Sequence, residues 1–218
     1  MKFIELNHVI EDEMTTYPGF PPPRVDAWLD HAASRSRYSD LAEFFIGRVN
    51  MVGNTGTYLD SPFHRFAERE DLSRIPLEHV ADLPGIALDA VAAGDRAVST
   101  RADDAELRGR AVLIRTGWDE RWGSDRYWQP GPFLSSACLD QLIRAKAALV
   151  GVDFWNVDDT NDLSRPAHTR LLAAGILVVE HLCHLSSLPR EGFTFSAIPL
   201  RIVHGASFPV RAFAKMKA

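Results

Sequence analysis

Residues 53–66, GNTGTYLDSPFHRF, bring Asn54, Tyr58, Asp60 and His64 into one short stretch. In an extended segment side chains alternate between faces, so Asn54, Gly56, Tyr58 and Asp60 share one face and Thr55, Thr57 and Leu59 the other. Gly56, lacking a Cβ, leaves room on the first face for a ligand or another backbone. Pro62 cannot donate to a sheet ladder, so Ser61-Pro62 ends the strand and the turn folds His64 back toward Asp60. A carboxylate beside an imidazole is an acid–base pair or half of a metal site. The competing reading is a polar edge strand followed by a surface turn.

A second carboxylate stands in an unusual place. In GILVVEHL, residues 175–182, Glu180 follows an apolar run. Burying it unpaired would cost several kcal/mol, so it is paired, protonated or bound to a cation unless it has reached solvent at the sheet rim. It falls at the C-terminal end of its strand, where active-site groups of α/β proteins gather. His168, in the first turn of the preceding helix, can approach the same end, although a lone helical histidine often serves packing alone.

The elements that must position these groups are mostly strands. Short apolar, β-branched runs recur as FIELNHVI, FFIGRVNMV, GIALDAV, RAVLIRTGW, AALVGVDF, GILVVEHL and SAIPLRIV, bounded by Gly, Pro or charged turns. SSACLDQLIRAKA predicts a helix with Ser135 or Ser136 as N-cap and Leu139, Leu142 and Ile143 on one face. SRPAHTRLLAAG predicts another, with Ser164 capping, Pro166 in the first turn and Gly175 as the stop. Many strands and few helices predict one α/β or α+β domain over residues 1–218 with a β-rich core. The Pro-rich YPGFPPPRV at 17–25 reads as a stiff loop, too short to separate domains.

Composition bounds the partners. The 218 residues are 46% hydrophobic and 24% charged with a net charge of −5, which argues against nucleic acid or an anionic membrane as partner and for a small molecule. The acidic N-terminal MKFIELNHVIEDEM is no signal peptide, and no apolar run reaches the ~18 residues of a membrane span, so a cytoplasmic location is expected. Cys138 and Cys183 form no CxxC pair and read as small core residues. Nucleophile-elbow, phosphate-loop and dinucleotide-binding patterns are absent, which removes serine hydrolases, kinases and dehydrogenases. His181 and His184 do not converge on one ion from a strand end. The acidic VDFWNVDDTND lacks the glycine and terminal glutamate of a calcium loop and reads as a solvated loop lining the cleft, where Trp155 and Asn156 touch substrate. The aromatic segment GWDERWGSDRYW packs a core or a subunit interface, or else walls a planar substrate.

These residues together resemble the cyclase family of metal-dependent hydrolases, which includes bacterial kynurenine formamidases, isatin hydrolases and enzymes assigned to polyketide ring closure. Its signature is His-x-Gly-Thr-His-x-Asp-x-Pro-x-His, and Gly56, Thr57, Asp60, Pro62 and His64 match it, whereas Asn54 and Tyr58 stand where the family has its first two histidines. YPGFP resembles the entry loop, VLIRTGW the central strand, LVGVDFWNVD the strand and loop before the late ligands, and IPLRIVHGASFPVRAFA the C-terminal end. His168 and Glu180 match the late His and Glu. The resemblance implies a swivelling β/β/α fold, a homodimer or homotetramer, metal ligation by Asp60, His168 and Glu180, and His64 as proton shuttle. Asn54 offers only an amide oxygen and Tyr58 a phenol with an ordinary pKa of about 10, so a two-metal cluster is not expected.

Two outcomes follow. In one, Asp60, His168 and Glu180 hold a single Zn²⁺ or Mn²⁺, the oxygen-rich set shifting weight toward the harder ion. In the other no metal binds, Asp60 and Glu180 share a proton, and the Tyr58 hydroxyl donates to a developing oxyanion. The expected activity is hydrolysis of an amide, lactam or lactone carbonyl in a small-molecule carbonyl substrate, with His64, Asp60 and Tyr58 as catalytic groups and Asn54 at the substrate. The alternatives are a metal-independent cyclase or dehydratase of secondary metabolism and a non-catalytic binding relative.

Overall fold

The computed structural model describes residues 2–216. In chain order its strands are β1 (Lys2–Glu5), β2 (Arg24–Leu29), β3 (Ile46–Asn50), β4 (Tyr58–Asp60), β5 (Leu83–Asp89), β6 (Val91–Ala92), β7 (Ala97–Ser99), β8 (Ala111–Arg115), β9 (Phe133–Leu134), β10 (Leu149–Val152), β11 (Leu177–Glu180), β12 (Phe193–Ile198), β13 (Ser207–Pro209) and β14 (Arg211–Met216). The helices are α1 (His31–Arg37), α2 (Asp104–Leu107), α3 (Ser136–Ala145) and α4 (Pro166–Ala173). None is long and apolar enough to cross a membrane among the described residues.

Nine strands form one mixed sheet in the order β1-β14-β12-β5-β8-β10-β11-β4-β13. Its centre, β5, β8, β10 and β11, is parallel. Those strands are buried on both faces, which is why AVLI, LVGV and LVV read as continuous apolar runs. Side chains divide by the period of two. Val112, Ile114, Val150, Val152 and Val178 pack with Leu139 and Leu142 of α3 and Leu171 and Leu172 of α4. Leu113, Leu149, Leu177 and Val179 face the other way, joining Leu59, Phe195 and Ala212. Because this second cluster draws from strands near both ends of the order, the sheet curls around it. The architecture is α/β, as expected from the pattern.

Details differ from the sequence expectations for local reasons. FIELNHVI pairs only as far as Glu5, and SAIPLRIV supplies only the end of β12, because Pro199 stops the ladder. Ser135 caps α3 by accepting from the Cys138 amide. Ser164 does not cap α4: Arg165 is the N-cap, at φ 50°, and its side chain makes no cap bond. The cap comes instead from Asp158, whose carboxylate accepts from the amides of Ala167 and His168. Asp153 is also buried, held by the amides of Thr116 and Gly117, so the first half of the acidic loop is structural where solvation was expected, while Asn161 and Asp162 are exposed as expected. Cys138 and Cys183 are buried and unpaired.

Candidate active site

The register of β4 assembles the site. Tyr58 lies directly opposite Glu180 of β11, and Asp60 directly opposite Ser207 of β13. Paired residues share a face, so the Tyr58 hydroxyl donates to Glu180 Oε2 at 2.5 Å and the Ser207 hydroxyl donates to Asp60 Oδ1. Leu59 points into the core and Thr57 bonds the His181 carbonyl, as alternation predicts. Regular pairing begins only at Tyr58. Gly56 is required by its φ of +60°, since an added Cβ would make only ordinary contact with Ile10, at 3.4 Å. The close approach expected there occurs at Gly53, where a Cβ would fall 2.2 Å from the Ser207 carbonyl oxygen.

Pro62 opens a 3₁₀ turn that ends at His64 and returns its Nδ1 to 3.7 Å from Asp60 Oδ1 and 3.2 Å from Ser207 Oγ. The single hydroxyl proton of Ser207 is committed to Asp60, so His64 must donate Nδ1–H to Ser207 Oγ. That tautomer leaves the Nε2 lone pair for the pocket. Burial holds the His64 imidazole below its ordinary pKa, with Asp60 opposing.

Asp60, His168 and Glu180 meet although far apart in sequence. Each contributes one ligand-type atom, and these atoms lie within 4.8 Å of one another. His168 Nε2 is 3.5 Å from both Asp60 Oδ2 and Glu180 Oε1, while its Nδ1 meets Asp158 Oδ2 at 2.6 Å. Exposure is 0% at Asp60, 1% at Glu180 and 5% at His168. Glu180 Oε1 also accepts the Val157 amide. Burial raises both carboxyls, but His168, His64 and Ser207 outweigh it at Asp60, which lies below its ordinary value; Glu180, with Asp60 as a like-charged neighbour, stays up at about 7. At His168 burial works downward, but Glu180, Asp158 and Asp60 lift it to about 10. The cluster therefore stabilises positive charge at its centre.

A divalent metal fits these residues. Asp60 Oδ2 is buried without a hydrogen-bond partner among the described residues, with His168 Nε2 3.5 Å away, as befits an atom that could meet a cation. The 3.5 Å spacings match the ~3.4 Å edge of a tetrahedron with ~2.1 Å metal–ligand bonds. Asp158 supplies the outer carboxylate that orients a ligating histidine. Tyr58 adds nothing as an anion: burial, Glu180 and Asp60 drive its phenol well above its ordinary value, so it acts as a donor to Glu180.

The cluster opens into a cavity of about 360 Å³ whose lining includes Asn54, Asn156, Tyr17, Phe20, Arg65 and Arg165, besides Tyr58, His64, His168 and Glu180. Asn54 and Asn156, expected at the substrate, both line it. Trp155, likewise expected at the substrate, is not among the lining residues: it is 8% exposed, its indole N–H donates to the Gln129 carbonyl, and its ring packs, at 5.4 Å between centroids, against Tyr17, which does line the cavity. Nor does the aromatic segment wall this cavity; Tyr127 is buried against His181 and Trp122 stacks on His8. His181 and His184 diverge, one to Tyr127 and one to the Glu5 carbonyl. Sequence reasoning missed Ser207, Asp158, Tyr17, Phe20, Arg65 and Arg165. Only Tyr17 and Phe20 carried a signal, as aromatics in the YPGFP loop.

Fold and site together define an enzyme that acts on a small molecule through a buried carboxylate–imidazole cluster. The sequence pattern of the Cyclase family matches residues 4–159, and the chain belongs to that family of metal-dependent hydrolases. It is 28% identical to a kynurenine formamidase of Salinibacter ruber, with 97% of this chain and 96% of that protein covered. Identity to a kynurenine formamidase of Bacillus cytotoxicus is 26%, with 97% and 96% covered. An isatin hydrolase A from Labrenzia aggregata, bound to benzyl benzoate, has the same fold at a TM-score of 0.82 and 20% identity, with 100% of this chain and 94% of that one covered. The chain is a hydrolase of this family.

Proposed function

We propose that the whole chain, residues 1–218, acts as one unit that hydrolyses an amide, lactam or lactone carbonyl of a small planar substrate. The observation that carries this reading is the buried Asp60–His168–Glu180 cluster at the base of the cavity, with Asp60 Oδ2 lacking a hydrogen-bond partner among the described residues. Asp60, His168 and Glu180 would hold one divalent metal, Zn²⁺ or Mn²⁺, which when bound would polarise the scissile carbonyl and acidify water. His64 Nε2 takes the proton from the attacking water, a C–O bond forms at the carbonyl carbon, and the imidazolium returns that proton to the departing nitrogen or oxygen as the C–N or C–O bond breaks. Ser207 holds the His64 tautomer, Tyr58 holds Glu180, and Asn54 and Asn156 orient the substrate. A location in the cytoplasm and a homo-oligomeric state complete the proposal.

A metal-free acid–base enzyme is the second reading, favoured by the elevated pKa of His168 and by Asn54 and Tyr58 in place of imidazoles. Elemental analysis of protein purified without chelator separates the two, followed by a screen with N-formyl aromatic amines, lactones and cyclic imides. About one metal per chain, and activity lost on chelation and restored by Zn²⁺ or Mn²⁺, is the expected result. His64→Ala is expected to fold normally and lose ~10²–10⁴-fold in kcat. Metal-free protein with chelator-resistant turnover would favour the second reading, and full activity in the His64 variant would remove its role.

A further inference from the structure

Arg165 brings to the cavity a buried guanidinium nitrogen, Nη1, that no acceptor meets among the described residues. Its side chain lines the cavity beside Tyr17, Phe20 and Asn156. The carboxylates near it have closer partners. Asp159 pairs with Arg96, Asp158 with His168 and the first amides of α4, and Glu180 with Tyr58 and Val157. The second arginine of the cavity, Arg65, is spent on the Thr169 hydroxyl and the Ser164 carbonyl.

The backbone makes the same point. Arg165 sits at φ 50° and ψ 59°, a left-handed conformation costly for a side chain of this size, immediately before a proline that restricts it further. Glycine or asparagine would hold this turn with less strain, so the arginine is there for its side chain. A buried donor without an acceptor is a cost that a ligand can relieve. A guanidinium presents paired N–H groups that match the two oxygens of a carboxylate.

We propose that Arg165 is the anion-binding residue of this cavity and that the substrate carries a carboxylate remote from its scissile carbonyl. This rests on the hydrolase reading above and names the substrate class for it. The carbonyl sits at the Asp60–His168–Glu180 cluster, the planar body lies along Tyr17 and Phe20, and the carboxylate reaches Arg165. A cavity of about 360 Å³ accommodates one substituted aromatic ring with its two polar groups.

Two experiments test this, one independent of turnover. In calorimetric titrations of the metal-loaded protein, benzoate binds more tightly than its neutral counterpart benzamide. Arg165→Gly, which removes the guanidinium while suiting the left-handed φ, weakens benzoate about 10- to 100-fold, and Arg165→Lys restores part of the loss. In turnover, kcat/KM for 2-, 3- and 4-formamidobenzoate is compared with that for formanilide. The best of the three exceeds formanilide, and that ratio collapses in Arg165→Gly chiefly through KM. Benzoate binding undiminished in Arg165→Gly would place the carboxylate at the metal and overturn the proposal, as would equal affinity for benzoate and benzamide. Turnover of the formamides with no carboxylate preference overturns the subsite and leaves the hydrolase reading standing. Arg165-dependent benzoate binding with no turnover of any formamide does the reverse.

Discussion

At the scale of single residues, the site depends on how buried polar atoms are answered. Tyr58 Oη meets one oxygen of Glu180 while the Val157 amide meets the other, so the carboxylate has one orientation available. Tyr58→Phe removes the hydroxyl that answers buried Oε2. It is expected to destabilise the fold by about 1–3 kcal/mol in urea denaturation and to weaken metal affinity ~10–100-fold in competitive titration. Unchanged values of both would mean that the hydroxyl does not hold Glu180. His8 illustrates the opposite case, a ring the fold keeps neutral. Burial against Trp122, helped by His184, lowers its pKa to about 4, against about 6.5 in an unfolded chain. Below pH 6.5 the unfolded chain takes up a proton that the native state refuses, so stability present above that pH is lost progressively as pH falls toward 4. Between pH 7 and 5 the contribution is at most about 2 kcal/mol. His8→Phe is expected to flatten the urea-midpoint profile over that interval; an unaltered profile would assign the slope to other groups.

At the scale of elements, α4 shows how a helix terminus is built into a site. Its own flanking residues supply no cap, and the cap arrives from Asp158 in the middle of the preceding loop. The same carboxylate receives His168 Nδ1–H, so one side chain starts the helix, sets the imidazole tautomer and aims Nε2 at Asp60 and Glu180. Asp158→Asn retains an acceptor but loses the charge and sets an amide against the ring. The expected result is a loss of about 1–2 kcal/mol in stability together with ~10–100-fold weaker metal binding. A stability loss with unaltered metal affinity would reduce Asp158 to a cap.

At the scale of the molecule, the hairpin of β2 and β3 stands apart from the main sheet. Among the described residues these strands pair only with each other, and an isolated two-stranded ribbon is marginal in water. Val25, Trp28, Phe45, Ile46 and Val49 are all exposed on it or beside it, Trp28 by 68%. Exposed apolar side chains on such an arm gain stability when covered, and in the proposed homo-oligomer a second copy of the chain would cover them. Light scattering is expected to give a multiple of the 24.3 kDa chain mass. Trp28→Glu combined with Val49→Lys is expected to shift it toward the monomer. A monomeric parent protein would refute this use of the arm.

Sequence alone determined whatever depends on neighbours along the chain. The apolar period marked the central strands, Ser135 marked the start of α3, Pro62 forced the turn that returns His64 to Asp60, and the position of Glu180 in an apolar strand demanded a partner. Tertiary structure decided which distant groups answer them. Ser207 reaches Asp60 because β13 pairs with β4 at that register, Tyr58 reaches Glu180 through the pairing on the other side, and Arg165 reaches the cavity from a left-handed turn. Trp155 was misplaced for the same reason, since whether it or Tyr17 faces the cavity depends on a loop folding over it from another part of the chain. Spacing encodes contacts across a few residues; contacts across a hundred or more depend on sheet order and register, which no local pattern carries.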